Sequence, residues 1–390
     1  MASTKQKLHL PFLDGMRGLA ALYVVFSHVL PHQSDRLPGL IELPTKVFRY
    51  GPIGVVIFVV LSGYGLMLSV VRQKTGYLPG TLLNYFKRRA RRILPPYYAA
   101  IVLCLLLAAA ILGLETLTQF EWREMSYDWF SPKFSVLDVV LHLLLIHNFT
   151  PGTQAYNINL PLWSVALEWQ FYFIFPLLLL PLLRRWGWLA TIAIAFGIGL
   201  APHYLMNGFM DVSRPWLLGS FALGMLAADI GFSDKPHMSR LRKSLPWGVL
   251  AMIFALISLI TEWKALGLDG WVFESLAGVA ATCLIIYCTN FFLEGKPLPQ
   301  GLRVLESRGA IALGVFSYSL YLTHAPIVTL TYRFLLQLQV PAITYTFLLY
   351  IVSIMMSLVF GYLFYLAFEK RFTTPPKLKQ NQSIDKAVKP

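Results

Sequence analysis

Long apolar runs separated by short polar segments form most of this chain. A spanning helix needs roughly 20 apolar residues, and ten runs come close to that length. The pattern predicts spans over 11–31, 51–71, 96–114, 160–183, 187–205, 214–231, 246–263, 271–293, 310–335 and 341–368. A further run, 135–149, is apolar but shorter and contains His142 and His147. We therefore expect an all-α polytopic membrane protein.

The placement of basic residues predicts the topology. If the N-terminus is cytoplasmic and 135–149 does not cross, most of the 33 Lys and Arg residues fall in cytoplasmic segments, as the positive-inside bias requires. If 135–149 crossed, Arg184, Arg185 and the basic C-terminal tail would lie outside. We predict about ten spans, both termini cytoplasmic, and a re-entrant or interfacial 135–149. A membrane-embedded domain should cover 1–372, and 373–390 should form a disordered cytoplasmic tail.

Composition excludes several classes of protein. Hydrophobic residues make up 56% of the chain, which a soluble domain of ordinary composition does not reach. The net charge of +14 is mostly topogenic, so binding of nucleic acid is not expected. Cys104, Cys283 and Cys288 lie in apolar runs without metal-ligand spacing, so neither a disulfide framework nor a metal site is predicted.

The first span carries Asp14, Arg17 and His28. Arg17 and His28 are about three helical turns apart and share a stripe with the small residues Gly18 and Ala21. Ionisable groups within a span normally face a protein interior or a wet cavity. The alternative is a topogenic charge at one end and a core histidine at the other. The set of three favours an inward, functional stripe.

A basic cluster precedes the third span. Five of the six residues 87–92 are basic, among them Arg88, Arg89, Arg91 and Arg92. We expect a short interfacial helix that stops at Pro95 and Pro96. Guanidinium groups match phosphate geometry, so a phosphate-rich cytoplasmic ligand is one interpretation. Anionic lipid headgroups and orientation in the membrane are the other.

Two later spans contain polar faces. Ser164, Glu168 and Tyr172 are spaced by four and share one face of the fourth span. In the ninth span, Tyr321 and His324 precede Pro326, where we expect a kink. Helical rise places His28, Glu168 and His324 in the outer half of the membrane. A buried structural ion pair is the alternative role for Glu168.

The loop 115–134 should lie outside the membrane. It combines carboxylates with aromatic residues such as Trp122, Trp129 and Phe130. Aromatic belts at membrane interfaces explain most of these residues. Recognition of a sugar by stacking and hydrogen bonding is the alternative.

These segments together resemble the integral-membrane acyltransferase-3 family, whose members acylate hydroxyl groups of sugars and other small acceptors. The resemblance covers about residues 10–370 and is carried by Leu13–Ala21 with His28, Phe58–Tyr64, Lys87–Tyr97, Trp163–Tyr172 and Ser317–His324. It implies an acyl-CoA donor, usually acetyl-CoA, that enters from the cytoplasm, and an intramembrane histidine near the reaction centre. Many bacterial members have a second acidic residue where this chain has Trp169.

The sequence therefore predicts an acyl-CoA-dependent O-acyltransferase of the bacterial inner membrane that acts on a carbohydrate or glycoconjugate. His28 is the expected base, and Glu168, Asp14 or His324 would orient it. Acyl-His28 as an intermediate stays open. Arg17 and the arginines of 87–92 would bind the donor, and Ser164, Tyr172 and Tyr321 would support the site. Two alternatives are a secondary transporter of a small anion or glycan, and a structural subunit of a polysaccharide export complex.

Overall fold

The computed structural model of the chain describes residues 8–33, 37–73, 76–123, 125, 128–149 and 157–373, and the regular structure in these ranges is helical. The α-helices are α1 (Pro11–Val29), α2 (Gly39–Thr45), α3 (Pro52–Val71), α4 (Leu82–Leu117), α5 (Val136–Leu143), α6 (Leu162–Ile174), α7 (Leu180–Leu205), α8 (Leu217–Phe232), α9 (Pro236–Ser244), α10 (Trp247–Thr261), α11 (Gly270–Leu293), α12 (Arg308–Leu336), α13 (Ala342–Phe364) and α14 (Lys370–Thr373). Single π-helical turns, Phe175–Leu179 and Tyr365–Glu369, join α6 to α7 and α13 to α14.

Eight helical stretches within the described residues are long and apolar enough to cross a membrane. A ninth is obtained if α9 and α10, which meet at 68°, are counted as one broken span. The all-α membrane architecture is thus confirmed. Two of the spans predicted from the sequence, 160–183 and 187–205, fall within one helical stretch, Leu162–Leu205, which accounts for the difference between nine and ten.

Gly187 interrupts this long stretch. A straight helix of that length would measure about 66 Å, roughly twice the thickness of a hydrocarbon core. Gly187 has a φ of 76°, in the left-handed region, so the helix cannot continue straight through it. We retain two spans on either side of Gly187 as a proposal, together with the cytoplasmic placement of both termini.

The segment 135–149 contains no helix long enough to cross. Helix α5 covers only Val136–Leu143, and a 3₁₀ turn, His147–Phe149, follows. Ser135 caps α5 through reciprocal hydrogen bonds with Asp138. Tyr97 on α4 donates a hydrogen bond to the His142 carbonyl at 2.8 Å. The short segment therefore packs against a longer helix, in agreement with a non-spanning element.

Helix α4 differs from the prediction. It continues through Pro95 and Pro96 to Leu117, so the expected stop at the prolines is wrong. Proline costs a helix the hydrogen bond to the carbonyl one turn earlier, but neighbouring helices can accommodate that loss inside a membrane protein. The basic cluster and an apolar span thus belong to one rigid element.

Glycines bring α1 and α12 into direct backbone contact. A Cβ atom on Gly314 of α12 would lie 2.1 Å from the backbone oxygen of Asp14 on α1, and one on Gly18 would lie 2.4 Å from the backbone oxygen of Ala310. Close approach through small residues is the usual way in which helices associate in lipid. The inward stripe predicted for α1 is therefore packed on α12.

Candidate functional site

A polar cavity of about 200 Å³ lies where α1, α3, α4, α6 and α12 meet. Its polar lining residues are Arg17, Ser62, Arg89, Arg92, Ser164, Glu168, Tyr172, Ser317, Tyr318 and Tyr321. Three guanidinium groups thus share the wall with one carboxylate. Such a concentration of charge inside a membrane domain favours a charged ligand.

Glu168 is held by two hydroxyl groups. Tyr172 donates to Glu168 Oε1 at 2.6 Å and Ser62 donates to the same oxygen at 2.7 Å. The shared helix face of Glu168 and Tyr172 is therefore present as predicted. The carboxylate lies within electrostatic range of Arg17 and Arg89. No hydrogen bond joins it to His28 in the part of the chain that the structure describes.

The arginine cluster divides between two faces of α4. Arg89 and Arg92, one turn apart, line the cavity, whereas Arg88 and Arg91 lie outside it. Arg89 is partly buried, and the other three arginines are exposed. The Arg89 guanidinium lies 5.6 Å from the centre of the Tyr172 ring. Its Nε is buried and has no hydrogen-bond partner among the described residues. Arg89 thus retains an unused hydrogen-bond donor in the wall of the cavity.

Asp14 pairs with residues near its own end of α1. It accepts a hydrogen bond from Arg17 Nη1 at 3.1 Å, and its other oxygen lies 2.8 Å from His9 Nε2. His28 is about 21 Å further along the helix axis. The structure therefore places Asp14 beside Arg17, one of the arginines that line the cavity, and away from the His28 imidazole that it was expected to orient.

One wall of the cavity leads to a pair of histidines. The hydroxyls of Ser164 and Tyr321 are 2.6 Å apart, and both residues line the cavity. The Tyr321 ring lies 5.7 Å from the ring of His324, one turn further along α12. His28 Nδ1 is in turn 2.8 Å from His324 Nε2. The structure thus brings Ser164, Tyr321, His324 and His28 into one chain of contacts.

Hydrogen-bond partners determine the tautomers of this pair. His324 Nδ1 lies 2.8 Å from the carbonyl oxygen of Tyr321, which can only accept, so His324 Nδ1 carries a proton. In neutral His324, Nε2 then accepts a hydrogen bond from His28 Nδ1. This leaves the lone pair of neutral His28 on Nε2. Of the three residues expected to orient His28, it is His324 that contacts the ring.

Trp129 is a member of the site that the sequence did not single out. Its indole stacks on the His28 ring, with centroids 4.7 Å apart, and its Nε1 donates to the His28 carbonyl at 2.7 Å. Trp122 and Phe130 in the same loop are fully buried in the protein, so an interfacial belt is the wrong description for them. The only feature of the sequence that pointed to Trp129 was its position in a loop rich in aromatic residues.

Ser62 and Tyr318 also line the cavity without having been predicted. Ser62 lies in the glycine-bearing second span and Tyr318 in the polar stretch of α12. Tyr318 donates a hydrogen bond to the carbonyl of Ile93 on α4 at 3.1 Å, which ties α12 to the helix of the arginine cluster. Within the described residues, no group of three or more His, Cys, Asp or Glu side chains is placed to hold a metal ion.

Comparison with known families decides the class of this site. The model of an acyltransferase domain matches residues 10–366. The chain belongs to the acyltransferase-3 family. Membership of the acyltransferase-3 family makes it an enzyme that uses an acyl donor, and the transporter and structural alternatives are not supported.

The relatives of this acyltransferase-3 protein include O-acetyltransferase OatA of Staphylococcus aureus. OatA of strain NCTC 8325 / PS 47 is 24% identical over 374 residues, which cover 91% of this chain and 56% of that protein. OatA of strain COL gives the same values. The chain thus spans a little over half the length of these relatives. No solved structure gives a significant match.

Proposed function

We propose that this protein transfers an acetyl group from acetyl-CoA to a hydroxyl of a carbohydrate or glycoconjugate, with His28 as the base. One observation carries the proposal: the wall of an arginine-lined cavity includes Ser164 and Tyr321, and the Tyr321 ring lies 5.7 Å from that of His324, which pairs with His28. The names of the OatA relatives as O-acetyltransferases support acetyl as the group transferred.

Arg89 and Arg92 are the proposed contacts for the phosphates of CoA. Both line the cavity on one face of α4, and the buried Nε of Arg89 has no partner among the described residues. The cavity is smaller than a whole CoA molecule, so the nucleotide would lie at its mouth. The narrow pantetheine arm would extend past Arg17 toward Tyr321.

The base is proposed to be His28 Nε2. An alcohol becomes a competent nucleophile when a base removes its proton in the transition state. The acceptor hydroxyl would give its proton to Nε2 while its oxygen attacks the thioester carbonyl carbon. When the C–S bond breaks, the CoA thiolate would take up that proton from His28 Nε2. His324 would hold the ring throughout by accepting the Nδ1 hydrogen bond.

Ser164 and Tyr321 are the proposed supports for the thioester. Their hydroxyls are the polar groups of the cavity wall next to the histidines. Hydroxyl donors that face a developing oxyanion stabilise the transition state more than the ground state. Direct transfer and transfer through acyl-His28 would use these donors in the same way. Detection of an acyl-enzyme would distinguish the two routes.

We place the enzyme in a bacterial cell membrane, surrounded by lipid, with the arginine-lined end of the cavity toward the cytoplasm. The basic residues near Arg89 and the cytoplasmic supply of acyl-CoA support this orientation. The acceptor would then reach His28 from the opposite side, beside the loop that carries Trp129.

The test uses the whole protein, purified in detergent or nanodiscs, and acetyl-CoA labelled in the acetyl group. Label should move to a glycan extracted from the host envelope, and free CoA should appear in step with it. A label on the protein that survives a chase without acceptor and leaves when glycan is added would establish a covalent acyl-enzyme, and its absence from His28→Ala would assign it to His28. Failure of both glycan and protein to take up label would overturn the proposal.

A further inference from the structure

We infer that Trp129 is a positioning residue for His28, and that the Arg333–Asp128 ion pair holds the segment that carries it. The inference rests on the proposed role of His28 as the base. Trp129 lies in the loop between α4 and α5, residues 118–135, hereafter the α4–α5 loop.

Trp129 fixes His28 at two points. Its ring stacks on the imidazole with an interplanar angle of 27°, and its Nε1–H donates to the His28 backbone oxygen. His28 lies in the last turn of α1, which ends at Val29. Carbonyls in the last turn lack helical donors further along the chain. A single indole therefore caps the helix and limits rotation of the ring at the same residue.

The backbone of Trp129 is itself held by two other elements. Its N–H donates to Thr329 Oγ1 on α12 at 3.2 Å, and its carbonyl accepts from the N–H of Leu160 at 3.0 Å. Thr329 lies little more than one turn beyond His324 on the same helix. Trp129 thus fixes the position of His28 relative to α12, the helix that carries His324.

The residue before Trp129 forms a buried ion pair. Asp128 and Arg333 are joined by a salt bridge, with only 7% and 13% of their side chains exposed. The Arg333 guanidinium also lies 3.5 Å from the centre of the Trp122 ring and donates to the carbonyl of Arg123 at 2.7 Å. Arg333 thus joins three points of the α4–α5 loop to α12. Loss of one partner of such a pair leaves a buried charge and is strongly destabilising.

This arrangement predicts a specific kinetic effect. Misplacement of a catalytic group by about 1 Å can cost about 100-fold in rate. Donor binding occurs in the cavity near Arg89 and Arg92, which Trp129 does not line. A change at Trp129 should therefore lower kcat and leave the KM for acetyl-CoA almost unaltered.

The experiment compares Trp129→Ala, Trp129→Phe and Phe130→Leu in the full-length protein, with acetyl-CoA as the varied substrate. Phe130, fully buried in the same loop, is the control for packing, because no ring contact or side-chain hydrogen bond joins it to His28. Trp129→Ala should lower kcat by about 10- to 100-fold with KM within about twofold. Trp129→Phe keeps a ring on His28 and should recover part of that loss, and Phe130→Leu should stay close to wild type.

Three results would overturn the inference: wild-type kcat in Trp129→Ala, an equal loss in Phe130→Leu, or a raised KM as the main effect. If Trp129→Ala does not fold, Trp129→Phe provides the same split between kcat and KM, and the double variant Asp128→Asn with Arg333→Gln tests the ion pair without leaving one buried charge unpaired. Absence of acetyl transfer by the wild-type protein would instead contradict the proposed function. An active wild type with a fully active Trp129→Ala would contradict the positioning role alone.

Discussion

His28 Nδ1 and His324 Nε2 lie 2.8 Å apart although 296 positions separate the two residues in the sequence. The contact depends on the close packing of α1 and α12 and on the tautomer that the Tyr321 carbonyl imposes on His324. The proposed base and the residue that contacts its ring therefore come from the first and the penultimate long apolar helices of the described chain.

Replacement of His28 should remove the base and leave the donor site intact. We expect His28→Ala to lower acetyl transfer by about 100- to 10,000-fold, the range typical of general-base removal. His324→Ala should cause a smaller loss, because it removes the partner of the ring and not the base nitrogen. Label transfer from acetyl-CoA measures both effects.

The matched control for these two variants is His237→Gln. His237 is exposed and lies on α9. Near-normal turnover by a folded His28→Ala protein would falsify the assignment of the base. Equal losses in all three variants would indicate a general effect of histidine replacement on the fold.

The arginine cluster should separate into a donor-binding face and a topogenic face. Arg89→Ala with Arg92→Ala removes both cluster arginines that line the cavity, so the KM for acetyl-CoA should rise. Each charge-assisted hydrogen bond contributes about 1.5–3 kcal/mol, which corresponds to about 10- to 100-fold in affinity. Arg88→Ala with Arg91→Ala has the same charge change on the other face and should leave KM within about threefold. Steady-state kinetics against acetyl-CoA would reveal the difference.

If both double variants raised KM alike, the helix face would not matter and the cluster would act only through its total charge. An unaltered KM in both would assign the cluster to membrane orientation. The contact of Arg88 Nη2 with the Pro79 carbonyl, at 3.3 Å, lies outside the cavity and supports its use as the control.

Gly314 should be sensitive to the smallest side chain. In Gly314→Ala the new Cβ would lie 2.1 Å from the Asp14 backbone oxygen, so α1 and α12 must move apart. Overpacking of this kind costs about 1–3 kcal/mol, and it would also separate His28 from His324. We expect a lower unfolding temperature in detergent and reduced acetyl transfer.

Gly309→Ala provides a control on the same helix. A Cβ on Gly309 meets nothing within 4 Å. Because Ala favours a helix over Gly by about 1 kcal/mol, this variant should be as stable as wild type or more so. Equal stability of Gly314→Ala and Gly309→Ala would show that the helices tolerate a wider separation.

The topology can be tested with reporters. We expect fusions after Arg185 and at the C-terminus both to report the cytoplasmic side, because basic residues remain there. A signal from the outside at either position would contradict the cytoplasmic placement of that site and the orientation proposed for the cavity.

The inward stripe of α1 could be predicted because ionisable and small residues recur at helical spacing. The shared face of Glu168 and Tyr172 could be predicted for the same reason. Local periodicity does not, however, specify which distant side chain meets a given face. The contact of His28 with His324 needs the α1–α12 packing. Asp14 is only 14 positions from His28 in the sequence, but the two lie near opposite ends of α1, about 21 Å apart along its axis.

Other features depended on tertiary context that a single sequence does not contain. Prolines normally stop helices, and neighbouring packing keeps α4 continuous through Pro95 and Pro96. Aromatic residues near an interface commonly face lipid, but Arg333 and Thr329 draw the α4–α5 loop onto α12 and place Trp129 on His28. The tail beyond residue 373 lies outside the described residues, and its predicted disorder stays a prediction.

The hydrogen bond between Ser164 and Tyr321 also bears on the membrane as an electrical insulator. These two hydroxyls belong to the part of the cavity wall that lies nearest His324. If donor and acceptor enter from opposite faces, an open wall would join two aqueous compartments and let ions discharge the membrane potential. If these two hydroxyl groups separate only when a pantetheine arm lies between them, acyl groups could pass the wall while the membrane potential is maintained.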